Sequence, residues 1–417
     1  MNFQTISVVG LGYIGLPTAA LIASKNINVI GIDINQNIVD TINRAEIHII
    51  EQGLAQIVKV AVDTGYLRAS SNFKPADVFI IAVPTPFKGI DHAADLSYIE
   101  AAAKSIAKVL KKGNLIILES TSPVGATEQM IEWLSNVRPD LTFPRVGGGN
   151  ADIHVAYCPE RVLPGNVITE LVRNDRVIGG ITQSCSEHAK EFYKLFVSGD
   201  CIITNTRTAE MSKLTENSFR DINIAFANEL SIICDELNIN VWELIRIANR
   251  HPRVNILQPG PGVGGHCIAV DPWFIINKTP NLARLIKMAR QVNDSKPMWV
   301  IEKVKVAIAD YLAANPSRHI KDITIGCYGL AFKPDIDDLR ESPALQIVRE
   351  IADAHPGSVV AVDSNISQVI GEKFRLLNYE EADEIVNIAV LLVDHHEFKS
   401  REKPSVDFIV DTKGIWL

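Results

Sequence analysis

The residues ISVVGLGYIG, from Ile6 to Gly15, indicate how the first part of this chain folds. A short β-branched run leads directly into glycines spaced G-x-G-x-x-G, and a run typical of a helix follows. Gly10 allows a tight turn, Gly12 lets the backbone approach a pyrophosphate, and the third glycine permits close helix–strand packing. Unpaired N–H groups at the helix start then face the phosphates. The stretch predicts a dinucleotide-binding turn made by Gly10, Gly12, Tyr13, Ile14 and Gly15.

The residue after the second strand favours NAD over NADP. The run Val29–Ile32 ends at Asp33, whose carboxylate can accept both ribose hydroxyls and would repel a 2′-phosphate. Ile34 and Asn35 follow, so no arginine stands there to accommodate that phosphate. The alternative interpretation is a tight turn that holds no ligand.

Threonines follow two later strands, whose carboxyl ends should line the same cleft. Thr85 comes after the run Val78–Val83, Thr121 comes after Leu115–Leu118, and Thr127 lies just beyond. These hydroxyls could bond ribose, phosphate or a substrate hydroxyl. Helix capping is the alternative, and for Thr127 it is the stronger one.

Strand-like and helical runs alternate through the first part of the chain, which predicts a parallel, helix-covered sheet reaching about residue 200. The predicted strands are Ile6–Val9, Val29–Ile32, Val78–Val83, Leu115–Leu118, Val155–Tyr157 and Arg176–Ile178. Residues Thr208 to Leu237 contain no proline or glycine, and their apolar periodicity predicts one long amphipathic helix. Such a helix is either a hinge or oligomer interface, or a simple connector.

A second small α/β region starts near Ser317, with the helix Ala344–Ala354 among its strands. The strands are Ile323–Gly326, Val359–Asp363, Ala389–Val393 and Phe408–Val410. The fold class is therefore α/β, with two Rossmann-like parallel-sheet domains joined by a long central helix. We place the domains at residues 1–205, 206–315 and 316–417.

Composition and charge exclude several classes of protein. The 417 residues are 47% hydrophobic and 22% charged with net charge −8, so nothing indicates binding to nucleic acid or to an anionic membrane. The six cysteines form no CxxC and no zinc-ligand spacing, so we expect no metal. The N-terminus has no basic and apolar leader, and the first helix is too short to span a bilayer. We expect a cytoplasmic location.

A cysteine on a glycine-rich loop adds a second chemical group. Cys267 lies in GGHCIAVDP, from Gly264 to Pro272, where backbone N–H groups can stabilise a thiolate or hold phosphate oxygens. Asp271 could accept a proton or steer a water. A buried cysteine that only fills space is the alternative. With a nicotinamide cofactor, a reactive thiol predicts oxidation of an alcohol through an aldehyde and a thioester to a carboxylate, using two NAD.

Other polar residues are candidates for the same chemistry. Lys213 and Asn217 are four residues apart and share a helix face, where they could stabilise an alkoxide or oxyanion. Glu160 could position the water that hydrolyses a thioester. A solvated lysine and a salt-bridged structural glutamate are the alternatives. Arg250, His251 and Arg253 lie just before the glycine loop and could bind a pyrophosphate. Lys333, Arg340 and Glu341 follow the first strand of the third region, where a ligand could bridge domains. We expect His395 and His396 to form a surface pair.

Together these motifs resemble the UDP-sugar 6-dehydrogenase superfamily over essentially the whole chain. They are GLGYIG at 10–15, STSPVG at 120–125, PERVLPG at 159–165, the Lys213/Asn217 face, GGHCIAVDP at 264–272 and GLAFKPDIDDLRESP at 329–343. Residues 248–259 and 207–228 resemble the branch that acts on N-acetylated sugars. A lysine usual before Asp271 in UDP-glucose enzymes is absent here, which agrees with that branch and puts any role of that lysine in doubt.

The resemblance implies oxidation of UDP-N-acetyl-D-mannosamine at C6 by a homodimer, for a bacterial surface polysaccharide such as enterobacterial common antigen. The implied catalytic residues are Cys267 as nucleophile, Lys213 as acid/base or oxyanion group, and Asn217, Asp271, Thr121 and Glu160 in assisting roles. The implied contacts with the UDP-sugar are Arg161, Val162, Lys213, Asn217, Arg220, His251, Arg253, Gly264, Phe332 and Lys333. Arg340 would reach NAD, in one arrangement across the dimer.

Three alternatives remain open. The first is the same reaction on UDP-N-acetylglucosamine, because loop residues do not distinguish an axial from an equatorial N-acetyl group. The second is a two-electron dehydrogenase or reductase, which would not need Cys267. The third is a non-catalytic NAD-responsive binding protein, against which Cys267, Lys213, Asn217 and Glu160 argue together.

Overall fold

The computed structural model describes residues 3–49, 51–89, 91–162, 165–265 and 267–416. The chain divides into two compact units. Unit 1 comprises Met1–Glu216 and Trp273–Lys278, and unit 2 comprises Asn217–Pro272 and Thr279–Leu417. The three domains placed from the sequence remain a prediction.

Strands and helices alternate through unit 1. In chain order they are β1 (Thr5–Val9), α1 (Gly15–Ala23), β2 (Asn28–Ile32), α2 (Gln36–Asn43), α3 (Leu54–Asp63), β3 (Leu67–Ser70), β4 (Val78–Ile81), β5 (Phe87–Lys88), β6 (Ala93–Ala94), α4 (Ser97–Ala107), β7 (Leu115–Leu118), α5 (Ala126–Val137), β8 (His154–Tyr157), α6 (Val167–Arg173), β9 (Arg176–Gly180), α7 (Gln183–Tyr193) and β10 (Cys201–Asn205).

Within the described residues these strands form an eight-stranded sheet in the order β10-β9-β8-β7-β4-β1-β2-β3, beside a small β5–β6 hairpin. Its neighbours pair in parallel except β8 and β9, which are antiparallel. The predicted sheet is thus parallel over six strands, and β9 and β10 run the other way. Strand β1 lies between β2 and β4, so the chain crosses over beside the end of β1, where ligands of such sheets bind.

The apolar strands of unit 1 contribute side chains to the hydrophobic cores on both faces of the sheet. Val78 and Ile80 pack into one hydrophobic core, while Phe79 and Ile81 pack into the other. Successive side chains of a strand point to opposite faces, so an uninterrupted apolar run indicates a sheet covered on both sides. This alternation is why the four-residue strands of the sheet centre contain no polar residue.

Two 31-residue helices, α8 (Thr206–Glu236) and α11 (Arg284–Ala314), follow, with α9 (Val241–Ala248) and α10 (Asp271–Lys278) between them. The predicted long helix is confirmed within two residues at its start and one at its end. Helix α11 has no counterpart among the predictions, because Pro297 interrupts its sequence. Among the described residues, no helix is long and apolar enough to cross a membrane.

The last part of unit 2 is a five-stranded parallel sheet in the order β13-β12-β11-β14-β15. Its elements are a 3₁₀ helix (Ile320–Asp322), β11 (Thr324–Tyr328), α12 (Pro343–Ala354), β12 (Ser358–Val362), β13 (Arg375–Leu377), α13 (Tyr379–Asp383), β14 (Ile388–Leu391), α14 (His396–Ser400) and β15 (Phe408–Asp411). The two predicted parallel-sheet regions and the long helix are therefore present.

Candidate active site

The glycine turn after β1 has the shape that a dinucleotide needs. Gly10 has φ +92°, and a Cβ there would lie 2.6 Å from the Ala82 oxygen. A Cβ on Gly15 would lie 1.7 Å from the Gly10 oxygen, so the start of α1 can approach the turn only as glycine. Apart from Gly12 and its two chain neighbours, no heavy atom of the described residues lies within 4 Å of the Cβ position at Gly12. The turn thus leaves open space where a pyrophosphate could approach the backbone.

Asp33 lies at the end of β2 and is half-buried. Its Oδ2 accepts a hydrogen bond from the Leu11 N–H at 3.0 Å, and its Oδ1 accepts one from the Asn35 N–H at 2.9 Å. The carboxylate therefore holds the glycine turn in place. Because a carboxylate oxygen has two lone pairs, each oxygen still has capacity for a ribose hydroxyl.

The predicted threonines have different surroundings. The Thr85 hydroxyl donates to the Thr121 carbonyl at 2.6 Å, which joins the ends of β4 and β7. Thr127 is fully buried, and its N–H and hydroxyl both donate to Glu210 Oε1 at 2.9 and 2.7 Å. Glu210 also accepts from the Gly125 N–H, so it caps the start of α5. The Thr127 hydroxyl thus serves this helix start, and its contact with a cofactor remains a prediction.

Glu160 follows β8 and is held at both carboxylate oxygens. Its Oε2 pairs with Arg176 Nη1 at 2.6 Å, and its Oε1 accepts from the Arg161 N–H at 2.6 Å. Both partners of the ion pair are almost completely buried. The alternative of a salt-bridged glutamate therefore describes its contacts, and the same contacts fix its orientation.

A second buried carboxyl, Glu119, lies in the same part of unit 1 and was not predicted. It is 2% exposed, directly follows β7, and accepts from the Tyr193 hydroxyl at 2.7 Å. Burial raises the pKa of Glu119 to about 7, against the opposing charge of Arg176 and with the help of Glu160. Glu119 therefore exchanges its proton near neutral pH. Its place directly after a buried strand was the sequence signal that could have indicated it.

In unit 2 the predicted pair Asn217 and Asp271 is in contact. Asn217 Nδ2 donates to Asp271 Oδ2 at 2.5 Å, and Asp271 is buried at the start of α10. Lys213 lies one turn before Asn217 on α8 and is half-buried. The amide of Asn217 is thus oriented by a carboxylate.

The glycine loop that carries Cys267 packs against a segment of the third region. A Cβ on Gly264 would lie 2.5 Å from the Glu341 oxygen, and one on Gly265, at φ +79°, would lie 2.8 Å from the Phe332 ring. Two predicted substrate residues, Gly264 and Phe332, are therefore neighbours, at an approach that only glycine permits. Cys267 is half-buried, and its carbonyl accepts from the Asp271 N–H at 2.8 Å. His266 lies outside the described residues.

The remaining predicted ligands lie at or near the surface. Arg161 and Val162 are half-buried, and Arg161 pairs with Glu216 at 2.9 Å. Arg340 pairs with Asp338 at 2.6 Å. Four more cationic or titratable side chains are exposed: Arg220, His251, Arg253 and Lys333. Exposed cations are suited to an anionic substrate, although their contacts remain predictions.

The third region contains a second turn of the same design. Gly329, at φ +94°, follows β11, and Asp363 Oδ2 accepts from the Leu330 and Ala331 N–H groups at 2.8 and 3.3 Å. Here the carboxylate is closed off, because His395 Nε2 lies 3.2 Å from the same oxygen. Burial alone would raise the pKa of Asp363, but the hydrogen bond and charge of His395, together with the N–H groups of Leu330 and Asn365, outweigh burial and lower it.

The expected surface pair of histidines is therefore wrong for His395, which is fully buried, while His396 is exposed. Asp335 N–H donates to His395 Nδ1 at 3.0 Å, so the proton of a neutral ring lies on Nε2. Among the described residues, no group of three or more potential ligands could hold a metal ion.

Comparisons with known proteins agree with this architecture. Residues 4–197 match the NAD binding domain of the UDP-glucose/GDP-mannose dehydrogenase family, residues 207–295 its central domain, and residues 326–417 its UDP binding domain. The UDP-N-acetyl-D-mannosamine dehydrogenase of Escherichia coli (strain K12) is 62% identical over 421 residues, covering 100% of both chains.

Two further relatives widen the comparison. The NDP-N-acetyl-D-galactosaminuronic acid dehydrogenase of Ralstonia nicotianae is 58% identical, covering 100% of this chain and 97% of the relative. The structure of the UDP-D-ManNAc dehydrogenase from Pyrococcus horikoshii is 37% identical with TM-score 0.89, covering 99% of this chain and 96% of that chain. The chain therefore belongs to the UDP-glucose/GDP-mannose dehydrogenase family and is an NAD-dependent UDP-sugar dehydrogenase.

Proposed function

We propose that this chain oxidises the C6 hydroxyl of UDP-N-acetyl-D-mannosamine to a carboxylate, giving UDP-N-acetyl-D-mannosaminuronate with two NAD consumed. The observation that carries the proposal is Cys267 on a glycine loop that leads into Asp271, whose carboxylate holds the Asn217 amide. A plain two-electron dehydrogenase needs no such thiol. The choice of sugar follows the name of the 62% identical relative.

The residues of the glycine turn fit NAD, since Gly12 faces open space and Asp33 lies beside the turn. The proposed NAD ligands are Gly10, Gly12, Tyr13, Ile14, Gly15, Asp33, Thr85, Thr127 and Arg340. When bound, NAD accepts one hydride in each of the two oxidation steps. Asp33 supplies the ribose contact that favours NAD over NADP.

Cys267 supplies the covalent step. Its thiolate adds to the carbonyl carbon of the C6 aldehyde, which forms a C–S bond and a thiohemiacetal alkoxide. Loss of hydride from that carbon leaves a thioester. Water then breaks the C–S bond, releasing the carboxylate and restoring the thiol. The covalent bond keeps the reactive aldehyde attached between the two oxidations.

The polar residues around this chemistry have separate roles. Lys213 takes the hydroxyl proton through its neutral amine or stabilises the alkoxide through its ammonium, and the Asn217 amide donates a hydrogen bond to the oxyanion. Asp271 orients that amide through the 2.5 Å bond. Glu160, held by Arg176, orients the hydrolytic water, while Thr121 orients the reacting carbon. The proposed UDP-sugar ligands are Arg161, Val162, Lys213, Asn217, Arg220, His251, Arg253, Gly264, Phe332 and Lys333.

We further propose a cytoplasmic homodimer built on α8. Phe219, Phe226 and Ile233 are 68%, 51% and 46% exposed and are spaced seven residues apart, so they form one apolar stripe along the helix. A second copy of the chain would cover this stripe. The product would serve as a donor of N-acetylmannosaminuronate for a bacterial surface polysaccharide.

The first experiment measures NADH formed from limiting UDP-N-acetyl-D-mannosamine, with the N-acetylglucosamine and N-acetylgalactosamine substrates in parallel. About two NADH per molecule of the mannosamine substrate, and little from the others, is the expected result. One NADH per molecule would contradict the four-electron reaction. Preference for the galactosamine substrate, which the 58% identical relative's name makes the second candidate, would leave the mechanism and overturn the sugar.

The covalent step is tested with Cys267→Ser. This variant should lose net formation of the acid, because an alkoxide forms less readily from serine than a thiolate does from cysteine. Its fold is checked by thermal unfolding. Full conversion to acid by the variant would mean that Cys267 is structural.

A further inference from the structure

A seam of buried polar side chains joins α8 to α11 within unit 2. Asp221 and Asn228 are 0% exposed, and Asn293 is 1% exposed. Arg290 and Lys296 are each 2% exposed. Buried polar groups are almost always hydrogen-bonded, so the partners of these side chains show which segments the seam connects.

The side chains of the seam are linked in series. Arg290 Nη1 donates to Asp221 Oδ1 at 2.6 Å, and Asn293 Nδ2 donates to the same oxygen at 2.8 Å. Asn228 Nδ2 then donates to Asn293 Oδ1 at 2.9 Å. The series fixes the rotamer of Asn228 and the direction of its amide oxygen.

The amide oxygen at the end of the series reaches the cysteine loop. Asn228 Oδ1 accepts from the N–H of Gly260 at 2.9 Å. Gly260 is buried and opens the segment GPGVGG that leads to Cys267. Asn228 therefore connects the helix seam with the first residue of the glycine-rich stretch.

Asn217 holds the other end of the same loop, through its bond to Asp271. Asn217 and Asn228 are eleven residues apart, which is about three turns of helix, so both lie on one face of α8. One face of α8 is thus hydrogen-bonded to the loop on both sides of Cys267. Such anchors matter in a glycine-rich segment because glycine has more backbone freedom than other residues.

We propose that Asn228 is a positioning residue, which fixes Gly260 and thereby sets where the loop presents the Cys267 thiol. The inference rests on the proposed role of Cys267 as nucleophile. A misplacement of about 1 Å at a reacting atom can reduce a rate by about a hundredfold. Loss of the Asn228–Gly260 bond should therefore reduce the turnover of acid formation far more than it changes the binding of NAD.

The test compares three variants. Asn228→Ala removes the bond to Gly260, and Asn228→Asp keeps an acceptor for Gly260 but no longer donates to Asn293. Ser231→Ala is the matched control, because Ser231 lies one turn along the same seam and bonds Lys296 at 2.6 Å. The measurements are kcat for acid formation, KM for NAD, thermal midpoint, and the rate at which iodoacetamide alkylates Cys267.

The expected result is that kcat and the alkylation rate follow the Gly260 bond and not the thermal midpoint. Asn228→Ala should lose about tenfold to a hundredfold in kcat with little change in the KM for NAD. Asn228→Asp and Ser231→Ala should stay within a few-fold of wild type even if they unfold at lower temperature. A kcat that simply tracks the thermal midpoint across all three variants would overturn the proposal.

Two measurements keep the inference testable if Asn228→Ala does not fold or if Cys267 is not the nucleophile. In the wild-type protein the Gly260 amide proton should exchange slowly with solvent. Rapid exchange would contradict a stable hydrogen bond between Gly260 and Asn228. Acid formation by Cys267→Ala would refute the covalent mechanism but not the positioning of the loop by Asn228. That positioning is tested separately by the rate at which iodoacetamide alkylates Cys267 in Asn228→Ala.

Discussion

At the scale of single residues, one buried arginine serves two carboxyl groups in unit 1. Arg176 pairs directly with Glu160, while Glu119 bonds the Tyr193 hydroxyl. Glu119 Oε2 has no hydrogen-bond partner among the described residues. Because Glu119 has a pKa of about 7, it can hold a proton near neutral pH. Arg176 then forms its ion pair with Glu160 without a second charged carboxylate beside it.

Replacing Glu119 should flatten the dependence of stability on pH. The pKa is raised from 4.5 to about 7, so the folded chain keeps a proton that the unfolded chain loses across that window. Stability therefore falls as pH rises through the window and stays lower above it. Glu119→Gln, which keeps an acceptor for Tyr193, should lack this fall, on the order of a few kcal/mol at about 1.4 kcal/mol per pKa unit.

Denaturant unfolding between about pH 5 and about pH 8 measures this difference. Glu187→Gln is the control, because Glu187 is an exposed carboxyl on the helix that carries Tyr193. The same pH slope in wild type and in Glu119→Gln would mean that Glu119 is ionised throughout.

Among the elements of unit 2, α8 and α11 meet through buried polar side chains. Lys296 is 2% exposed, bonds Ser231, and lies 3.5 Å from the centre of the Trp299 ring. Burial lowers the pKa of Lys296 to about 7; Asp235 opposes this shift and Lys303 adds to it. The helix pair therefore contains an amine whose charge costs stability when it is protonated.

Lys296→Met should stabilise the protein most at low pH. The folded pKa lies below the ordinary 10.5, so folding stability rises as pH increases from about 7 towards 10.5 in wild type only. The variant should gain on the order of a few kcal/mol near pH 7, at about 1.4 kcal/mol per pKa unit, and this gain should shrink at higher pH. Lys305→Met, an exposed lysine on the same helix, is the control. A gain that is constant with pH would argue against a neutral Lys296.

At the scale of the whole molecule, each unit contains a glycine turn after one strand and an aspartate after the neighbouring strand. The aspartate accepts hydrogen bonds from backbone N–H groups of the turn. Asp33 is half-buried and retains capacity for a ligand, whereas Asp363 is buried against His395. The second turn therefore cannot offer its carboxylate to a ribose as the first can. Of these two aspartates, Asp33 is the one whose carboxylate is accessible for the proposed NAD contact.

The proposed dimer depends on the apolar stripe of α8. Phe226→Glu places a charge at the centre of that stripe, so it should convert a dimer into monomers or weaken it by at least about tenfold, at about 1.4 kcal/mol per tenfold. Sedimentation at several protein concentrations measures the change. Val146→Glu is the control, because Val146 is 74% exposed but lies in a loop. An unchanged dimer in Phe226→Glu would place the interface elsewhere.

Features with local signals could be predicted from the amino-acid sequence. Apolar runs such as Leu115–Leu118 mark strands buried on both faces, and uninterrupted helical periodicity marks α8 to within two residues. The glycine turn at Gly10 and the loop at Cys267 could be located for the same reason, since glycine spacing directly reflects backbone conformation and close approach. These signals suffice for the fold class and for much of the candidate site.

The contacts between polar groups and the direction of β9 follow from chain packing and could not be predicted from the sequence. Tyr193 and Glu119 are 74 residues apart, and Asn228 and Gly260 are 32 apart, so no periodic pattern connects them. Nothing in the sequence around His395 distinguishes it from a surface histidine, yet the fold buries it against Asp363. The physical reason is that a buried polar group takes its partner from whatever chain packing brings within about 3 Å, which local propensity does not encode.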